Sequence, residues 1–573
     1  MAARAANNIL HVECNRMKHN AHPSHQVKRH TLNAPARTDA RAPLKADVRS
    51  AISPARRSAY ALLVQYDPLT TTAASSSPAH YIKDMLRSSK RLAGVTPADR
   101  AFAEFLCMGS VGAYRYLCDV LSGYCKRFSH LEKKLHVLLI LAAFELLYME
   151  HEHYAVCSQY AALARSIQPR YVGLVSGVLH TLIREELPRM NKARDTLSAA
   201  YVSLQQGDAG ADYACYSSVC DSDTTTATDE LVDAAARVSA LPTFMLGAIA
   251  KARGRAFMLR YAASMRASLP IFYIVNPYLA HARQGVSKDD VCINEQFGMY
   301  RVCGAARGHI MHAVEQGSIV ASDIAAQLIC AAIAYTPHER VLEIGAGNGT
   351  KTLVSEYIAH VLKKPPLLHA VCDIVPAKLR TLQARFKKSA IPTTLEIVHA
   401  ETALQAKSES ATYDCLFLDA PCSGISTIRR HSDIALRTTP ASIDPDNSAS
   451  LPAVQLQLLR EASRQVAANG SLYYSTCSML ACEHDDVVAA FLASREGAGF
   501  ERAAFPIAYL QLVRDTLEQV YIKAASVCPE TSRWISKDAC ITFPQDGTLL
   551  VQPYPYGPDA HMLTRLVRCN QTN

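Results

Sequence analysis

Arg340-Val341-Leu342-Glu343-Ile344-Gly345-Ala346-Gly347-Asn348-Gly349-Thr350-Lys351-Thr352 reads as a buried strand, a glycine-rich turn and the start of a helix. Glycine suits such a turn because a ligand must approach the backbone closely and the chain must take dihedrals that a Cβ resists. Downstream, His369-Ala370-Val371-Cys372-Asp373 supplies a second strand ending in an acid, placed to accept hydrogen bonds from ribose hydroxyls. A third acid, Glu401, follows the strand Leu395-Glu396-Ile397-Val398 and would border an adenine ring. Gly345, Ala346, Gly347, Asn348, Gly349, Thr350 and Lys351, with Asp373 and Glu401, are therefore the candidate cofactor cradle. A Gly-x-Gly-x-Gly turn alone fits dinucleotide enzymes and methyltransferases alike. From Gly317 to near the end, strands alternate with helices, the pattern of a doubly wound parallel α/β sheet.

Farther along come two cysteines in unusual settings. Cys422 lies in Leu418-Asp419-Ala420-Pro421-Cys422-Ser423-Gly424, after the strand-like Tyr413-Asp414-Cys415-Leu416-Phe417-Leu418. Cys477 lies in Tyr473-Tyr474-Ser475-Thr476-Cys477-Ser478, whose strand begins near Gly470. Both thiols fall just past the C-terminal ends of strands, where open α/β sheets place their chemistry. Two thiols with a carboxylate, Asp419, three residues before one of them predict covalent catalysis on an electron-poor ring.

Composition bounds the rest. The 573 residues carry a formal net charge of +9, 49% hydrophobic residues and 18 cysteines. No cysteine pair has Cys-x-x-Cys spacing, so no metal site is expected; Cys215/Cys220 and Cys477/Cys482 are the closest pairs. With no apolar signal region and no membrane-length apolar run, a cytoplasmic protein with reduced thiols and no membrane partner is expected. Residues 1–50 hold nine Lys or Arg against Glu13, Asp39 and Asp47, and read as a disordered basic arm, either an RNA-phosphate contact or an over-extended start of the reading frame. Residues 51–200 read as all-α, with Pro54 at a first helical position and Ala59, Leu62, Leu63 and Tyr66 on one face. Residues 201–232 read as a Ser/Thr/Asp/Gly-rich linker or insertion, 233–315 as a small α/β subdomain, and 316–573 as the doubly wound domain.

The order of these motifs carries a resemblance. Asp414 to Gly424, then Ile428-Arg429-Arg430-His431-Ser432-Asp433-Ile434, then Gly470 to Ser478 with Glu483 beyond, resembles the NOL1/NOP2/Sun family of RNA cytosine-C5 methyltransferases. Asp99-Arg100-Ala101-Phe102-Ala103, Phe144-Glu145-Leu146-Leu147-Tyr148 and Gly173 to His180 resemble the helical NusB-type RNA-binding domain. Together they make the chain similar to the bacterial Sun-type subfamily, which modifies 16S ribosomal RNA. The resemblance implies a Rossmann-like, S-adenosylmethionine-dependent methyltransferase fold preceded by an all-α NusB-like domain and a small α/β RNA-binding domain.

The same resemblance implies the roles. Cys477 adds to C6 of the target cytosine, and Asp419 protonates or hydrogen-bonds N3 and lies near the amine of S-adenosylmethionine. Cys422 assists loss of the C5 proton and release of the product. Lys351 holds the nucleophile in a positive field that lowers its pKa, while Arg429, Arg430 and His431 meet RNA; a structural pairing with Asp433 is the alternative for the arginines. The expected partner is small-subunit ribosomal RNA, free or partly assembled, and the expected state a monomer. Departures from the family pattern are Glu343, Gly345, Gly347, Asn348 and Thr350 in the first motif, then Ile274, Ser322, Glu401, His484 and Ala560. Three other readings compete: a catalytically weak ribosome-assembly factor, a DNA cytosine-C5 methyltransferase, and a dinucleotide oxidoreductase. The second thiol argues against all of them.

Overall fold

A computed structural model describes residues 52–66, 82–207, 225–303, 308–336, 340–364, 368–393, 395–398, 413–527, 535, 537 and 546–569. The basic arm and Glu401 lie outside the described residues. The chain divides into two units, Met1–Ser198 and Ala199–Asn573.

The first unit is helical in its described residues. Its principal helices are α1 (Pro54–Tyr66), α2 (Pro97–Gly112), α3 (Tyr114–Tyr124), α4 (Lys133–Tyr148), α5 (His153–Ile167) and α6 (Tyr171–Thr181). Ala59, Leu62, Leu63 and Tyr66 are all buried, as the apolar spacing of α1 requires. Helix α4 is apolar around its whole circumference, with Leu135 through Tyr148 buried, so it forms the centre of the unit. Gly109 of α2 is needed at this contact, because a Cβ there would lie 2.0 Å from the Phe144 ring. The α4 carboxylate of Glu145 is fully buried and takes hydrogen bonds from Arg56, from Tyr160 at 2.8 Å and from the His151 ring at 2.8 Å.

The second unit holds two sheets. The smaller is antiparallel, with order β2-β3-β1-β4, built from β1 (Phe272–Val275), β2 (Val291–Asn294), β3 (Met299–Arg301) and β4 (Ile319–Ala321). Strand β4 lies past residue 315, the expected end of the small subdomain; Tyr273, Ile274 and Val275 of β1 pair with Ala321, Val320 and Ile319 and draw it into this sheet. The helix Thr225–Ser239 begins inside the stretch expected to be a linker.

The larger sheet comprises β5 (Arg340–Ile344), β6 (Leu368–Cys372), β7 (Glu396–Ile397), β8 (Tyr413–Asp419), β9 (Val466–Thr476), β10 (Phe500–Arg502), β11 (Thr548–Val551) and β12 (His561–Arg568). Its order is β10-β12-β9-β8-β5-β6-β7, with β11 beside β12. Neighbours from β9 through β7 are parallel, and β12 runs antiparallel to β9. The order reverses between β5 and β8, and this switch point opens the crevice in which doubly wound sheets bind ligands. Connecting helices include α7 (Thr243–Ser264), α8 (Ile324–Tyr335), α9 (Thr350–Val361), α10 (Pro376–Lys388), α11 (Leu451–Ser463) and α12 (Asp485–Leu492). Leu342, Leu416, Leu418, Leu472 and Tyr474 are fully buried in one continuous core on these strands, as expected for a parallel sheet covered on both faces.

Candidate active site

Register builds the site. Ile344 of β5 pairs with Cys372 of β6 and with Leu418 of β8, and Asp419 pairs with Ser475 of β9. The strands therefore end level, and Gly345, Asp373, Asp419 and Thr476 emerge along one edge. Gly345 has φ +83°, and a Cβ there would lie 2.4 Å from the carbonyl oxygen of Asp419, so only glycine fits. Gly347 and Gly349 also have positive φ, and the loop delivers the chain to the N-terminus of α9. The amide of Gly347 donates to Asp373 Oδ2 at 3.0 Å, and that of Val375 to Oδ1 at 2.8 Å. Above the loop, Arg385 of α10 donates to the Asn348 carbonyl at 2.6 Å and to Thr350 Oγ1 at 3.0 Å. The departures at Asn348 and Thr350 thus have their own anchor, which the sequence motif does not reveal.

Asp373 is followed by Ile374, whose side chain is 84% exposed. An exposed isoleucine beside Asp373 offers an apolar face at the edge of the crevice, a residue that the sequence motifs do not single out. An alternating-pattern search could have flagged it as an apolar residue outside any strand.

The two thiols converge although each belongs to a separate turn. Cys422 and Cys477 lie with Sγ atoms 3.1 Å apart, both half-buried and both free. The turn after β8 is held to that after β9 by Ala420 N donating to the Ser475 carbonyl at 3.0 Å and Ser426 N to the Cys477 carbonyl at 3.3 Å. The hydrogen bond to Cys477, then burial, then the charges of Cys477, Glu483 and Asp419 push the Cys422 thiol well above its ordinary range. Cys422 therefore favours its protonated form, with its sulfur in contact with that of Cys477.

Lys351 does not extend into solvent. Its ammonium is ion-paired with Asp419, with only 16% and 24% of the two side chains exposed. Burial alone would lower the Lys351 pKa, but the charges of Asp419, Cys330 and Cys477 outweigh it and raise the amine above its ordinary value. A lasting cation therefore sits beside Asp419 and within reach of the charge on Cys477.

Sequence reading expected Arg429, Arg430 and His431 to meet RNA. The two arginines are instead committed within the protein. Arg429 is 2% exposed at its side chain and donates to Asp559 at 2.8 Å and the Pro558 carbonyl at 2.6 Å. Arg430 pairs with Asp559 and with Asp323, at 2.5 and 2.6 Å. Asp433, the alternative partner, pairs with Arg437 one helical turn away. Two adjacent guanidinium groups would be untenable here without the two carboxylates that face them. Only His431 of the trio is exposed.

Sequence reading also missed what supports the thiols. Glu483, fully buried, accepts from Ser423 N at 2.7 Å, from the Ser423 hydroxyl, and from Gln455 Nε2 at 3.2 Å. Gln455 also donates to the Pro421 carbonyl at 2.9 Å. The next residue, His484, is fully buried with Thr476 Oγ1 3.0 Å from Nδ1 and Thr564 Oγ1 2.9 Å from Nε2.

A sheet of this order, with a glycine loop after its first parallel strand and an acid after the second, defines a Rossmann-like methyltransferase fold. Residues 330–523 match the family described as 16S rRNA methyltransferase RsmB/F, and residues 53–184 match the NusB family. The chain thus resembles the RsmB/F methyltransferase family over one segment and the NusB family over an earlier one. It is 33% identical over 185 residues to the probable ribosomal RNA small subunit methyltransferase B of Bacillus subtilis (strain 168), a match covering 32% of this chain and 38% of that protein. It is 31% identical over 179 residues to ribosomal RNA small subunit methyltransferase B of Xanthomonas campestris pv. campestris, covering 31% of this chain and 38% of that one. The chain therefore matches well under half the length of these relatives. The crystal structure of PH0851 superposes with a TM-score of 0.57 at 14% identity, covering 90% of this chain and 99% of that chain, a likeness of fold.

Proposed function

We propose that the protein transfers a methyl group from S-adenosylmethionine to C5 of a cytosine in ribosomal RNA, most simply small-subunit RNA, through a covalent bond between Cys477 and C6. The observation that carries this reading is the 3.1 Å approach of Cys477 to Cys422 beside the Lys351–Asp419 ion pair. The relatives named above are ribosomal RNA small subunit methyltransferases, which supports the choice of RNA.

The cradle fits the cofactor. Positive-φ glycines leave the space beside Gly347 open, since a Cβ there would meet nothing nearer than the Gly345 carbonyl oxygen at 3.9 Å. Gly345 through Lys351 would hold the amino-acid part together with Asp419, Asp373 the ribose, and Ile374 with Glu401 the adenine. S-adenosylmethionine supplies an electrophilic methyl group on a sulfonium. Cys477 supplies the electrons: its thiolate adds to C6, the C5–C6 π electrons move to C5, and charge spreads to N3. Asp419, on taking up a proton, would hydrogen-bond or protonate N3 as that charge builds. Once C5 carries the methyl group, the C5 proton leaves to a base. The C6–S bond then breaks, restoring the aromatic ring and the Cys477 thiolate. Cys422, a thiol beside that sulfur, would assist the second of these steps by hydrogen-bonding to the sulfur as it departs. The base must be unstacked to admit attack from the thiol side, and the exposed His431 would meet its neighbours.

The test is methyl transfer from labelled S-adenosylmethionine to deproteinised small-subunit RNA, followed by nucleoside analysis. Labelled 5-methylcytidine is expected, and its loss on Cys477→Ala. A Rossmann-like factor that only binds RNA would transfer nothing, and an enzyme of another specificity would label another nucleoside.

A further inference from the structure

We infer that the dipeptide Glu483-His484 is a positioning device for both thiols, with Glu483 seating Cys422 and His484 seating Cys477, so that each residue governs a different half of the covalent cycle. The inference rests on the covalent reading given above.

The two residues close the short helical turn Ala481–Glu483, and His484 caps α12 through its carbonyl, which accepts from Val488 N at 2.9 Å. Their side chains diverge. Glu483 reaches the turn after β8, where its carboxylate receives both the amide and the hydroxyl of Ser423, the residue next to Cys422. Gln455 of α11 braces the same carboxylate and the Pro421 carbonyl on the other side of Cys422. Cys422 is thus clamped by contacts to the residues before and after it. The backbone is clamped as well, since Tyr474 donates from its hydroxyl to the Glu483 carbonyl at 2.7 Å.

His484 reaches the other turn. One tautomer satisfies every one of its contacts. The Thr476 hydroxyl gives its one proton to the Ser478 carbonyl at 3.1 Å, so it must accept from Nδ1–H of His484. Nε2 of the neutral ring then accepts from the Thr564 hydroxyl, which in turn must accept from Thr548, 3.1 Å away. Arg502, a donor only, fixes the far end by donating to Thr548 Oγ1 at 3.2 Å. One oriented chain of hydrogen bonds therefore runs from Arg502 across β11 and β12 to Thr476 and bridges Cys477 through the Thr476–Ser478 contact. Burial keeps this imidazole neutral, lowering its pKa to about 3, so the chain holds its direction across the working pH range.

Because the Glu483 carboxylate grips the Cys422 turn and the His484 ring holds the Thr476 end of the Cys477 turn, their loss should separate two steps that a merely structural role would slow together. With the whole protein, small-subunit RNA and S-adenosylmethionine, Glu483→Gln is expected to retain adduct formation but release it slowly. Denaturing gels would then show a protein–RNA band like that of Cys422→Ala, with turnover reduced about tenfold for the lost buried hydrogen bond. Ser423→Ala, which removes one donor and leaves the core intact, should do the same more weakly. In a Cys422→Ala background, His484→Ala and Thr476→Val should instead slow appearance of the band. The inference is overturned if Cys422→Ala traps the adduct while Glu483→Gln and Ser423→Ala turn over normally, or if both pairs lower adduct and turnover in equal proportion. If Cys422→Ala itself traps no adduct, the covalent reading falls and this inference falls with it.

Discussion

Cys422 and Cys477 bring their Sγ atoms to 3.1 Å across 55 residues of sequence because Asp419 and Ser475 are register partners on adjacent parallel strands. Strand register thus does for two thiols what sequence proximity cannot. The same levelling sets Gly345 and Asp373 on that edge, so the cradle and the thiols share one crevice.

Replacing the glycine at the crossing of loop and strand should fail on steric grounds. Gly345→Ala places a methyl group 2.4 Å from the Asp419 carbonyl oxygen in a backbone region that L-residues avoid. S-adenosylmethionine binding by calorimetry is expected to weaken by at least tenfold, consistent with strain of about 1–3 kcal/mol. Gly347→Ala, with its nearest neighbour 3.9 Å away, should be milder for folding and equally harmful to binding.

Lys351→Met should remove the cation that faces Asp419 and Cys477. Single-turnover methyl transfer is expected to fall by roughly 100-fold, the scale of losing an activated nucleophile or a general-acid arrangement.

Arg429→Met and Asp559→Asn should act on folding and leave the electrostatics of RNA binding alone. Breaking a buried ion pair leaves an uncompensated charge and costs about 3–5 kcal/mol, measurable by urea denaturation. The slope of RNA affinity against salt concentration should be unchanged for Arg429→Met, since that guanidinium is only 2% exposed and releases no counterion.

Acidification should expose the buried histidines. His484 has its pKa lowered to about 3 by burial, against Asp485 that raises it and with Arg253 and Arg502 that lower it further; His561 is also lowered, chiefly by burial. Tyr474 and the hydroxyls of Thr476 and Thr564 complete the surroundings of His484. A histidine lowered on folding leaves stability intact above its unfolded value of about 6.5 and removes it as pH falls toward the folded value. Between those limits His484 alone should account for about 1.4 kcal/mol per pH unit. Urea midpoints of His484→Asn should therefore fall less steeply than those of the unmodified protein from pH 6.5 to about 4.

Much of this was legible in the sequence. Alternating strands and helices gave the doubly wound sheet, and the glycine loop, Asp373, Asp419 and the two cysteines fell together along one edge. What stayed hidden depends on contacts between distant segments. Arg429 and Arg430 read as exposed because local sequence cannot show Asp323 and Asp559 folding over them. Strand β4 reads as the start of the last domain in sequence, and only its antiparallel pairing with β1, which no local pattern records, joins it to the smaller sheet. Glu483 and His484 stand in the motif order without a stated role and Arg385 stands outside it, and only their partners give the three of them work.

The central claim is that Cys477 forms the covalent bond and Cys422 releases it. The most direct measurement is the protein–RNA band on denaturing gels with small-subunit RNA and S-adenosylmethionine for Cys422→Ala, Cys477→Ala and the double variant. The account predicts a strong band for Cys422→Ala and none for the other two. A band that persists without Cys477, or that requires Cys422, would contradict it.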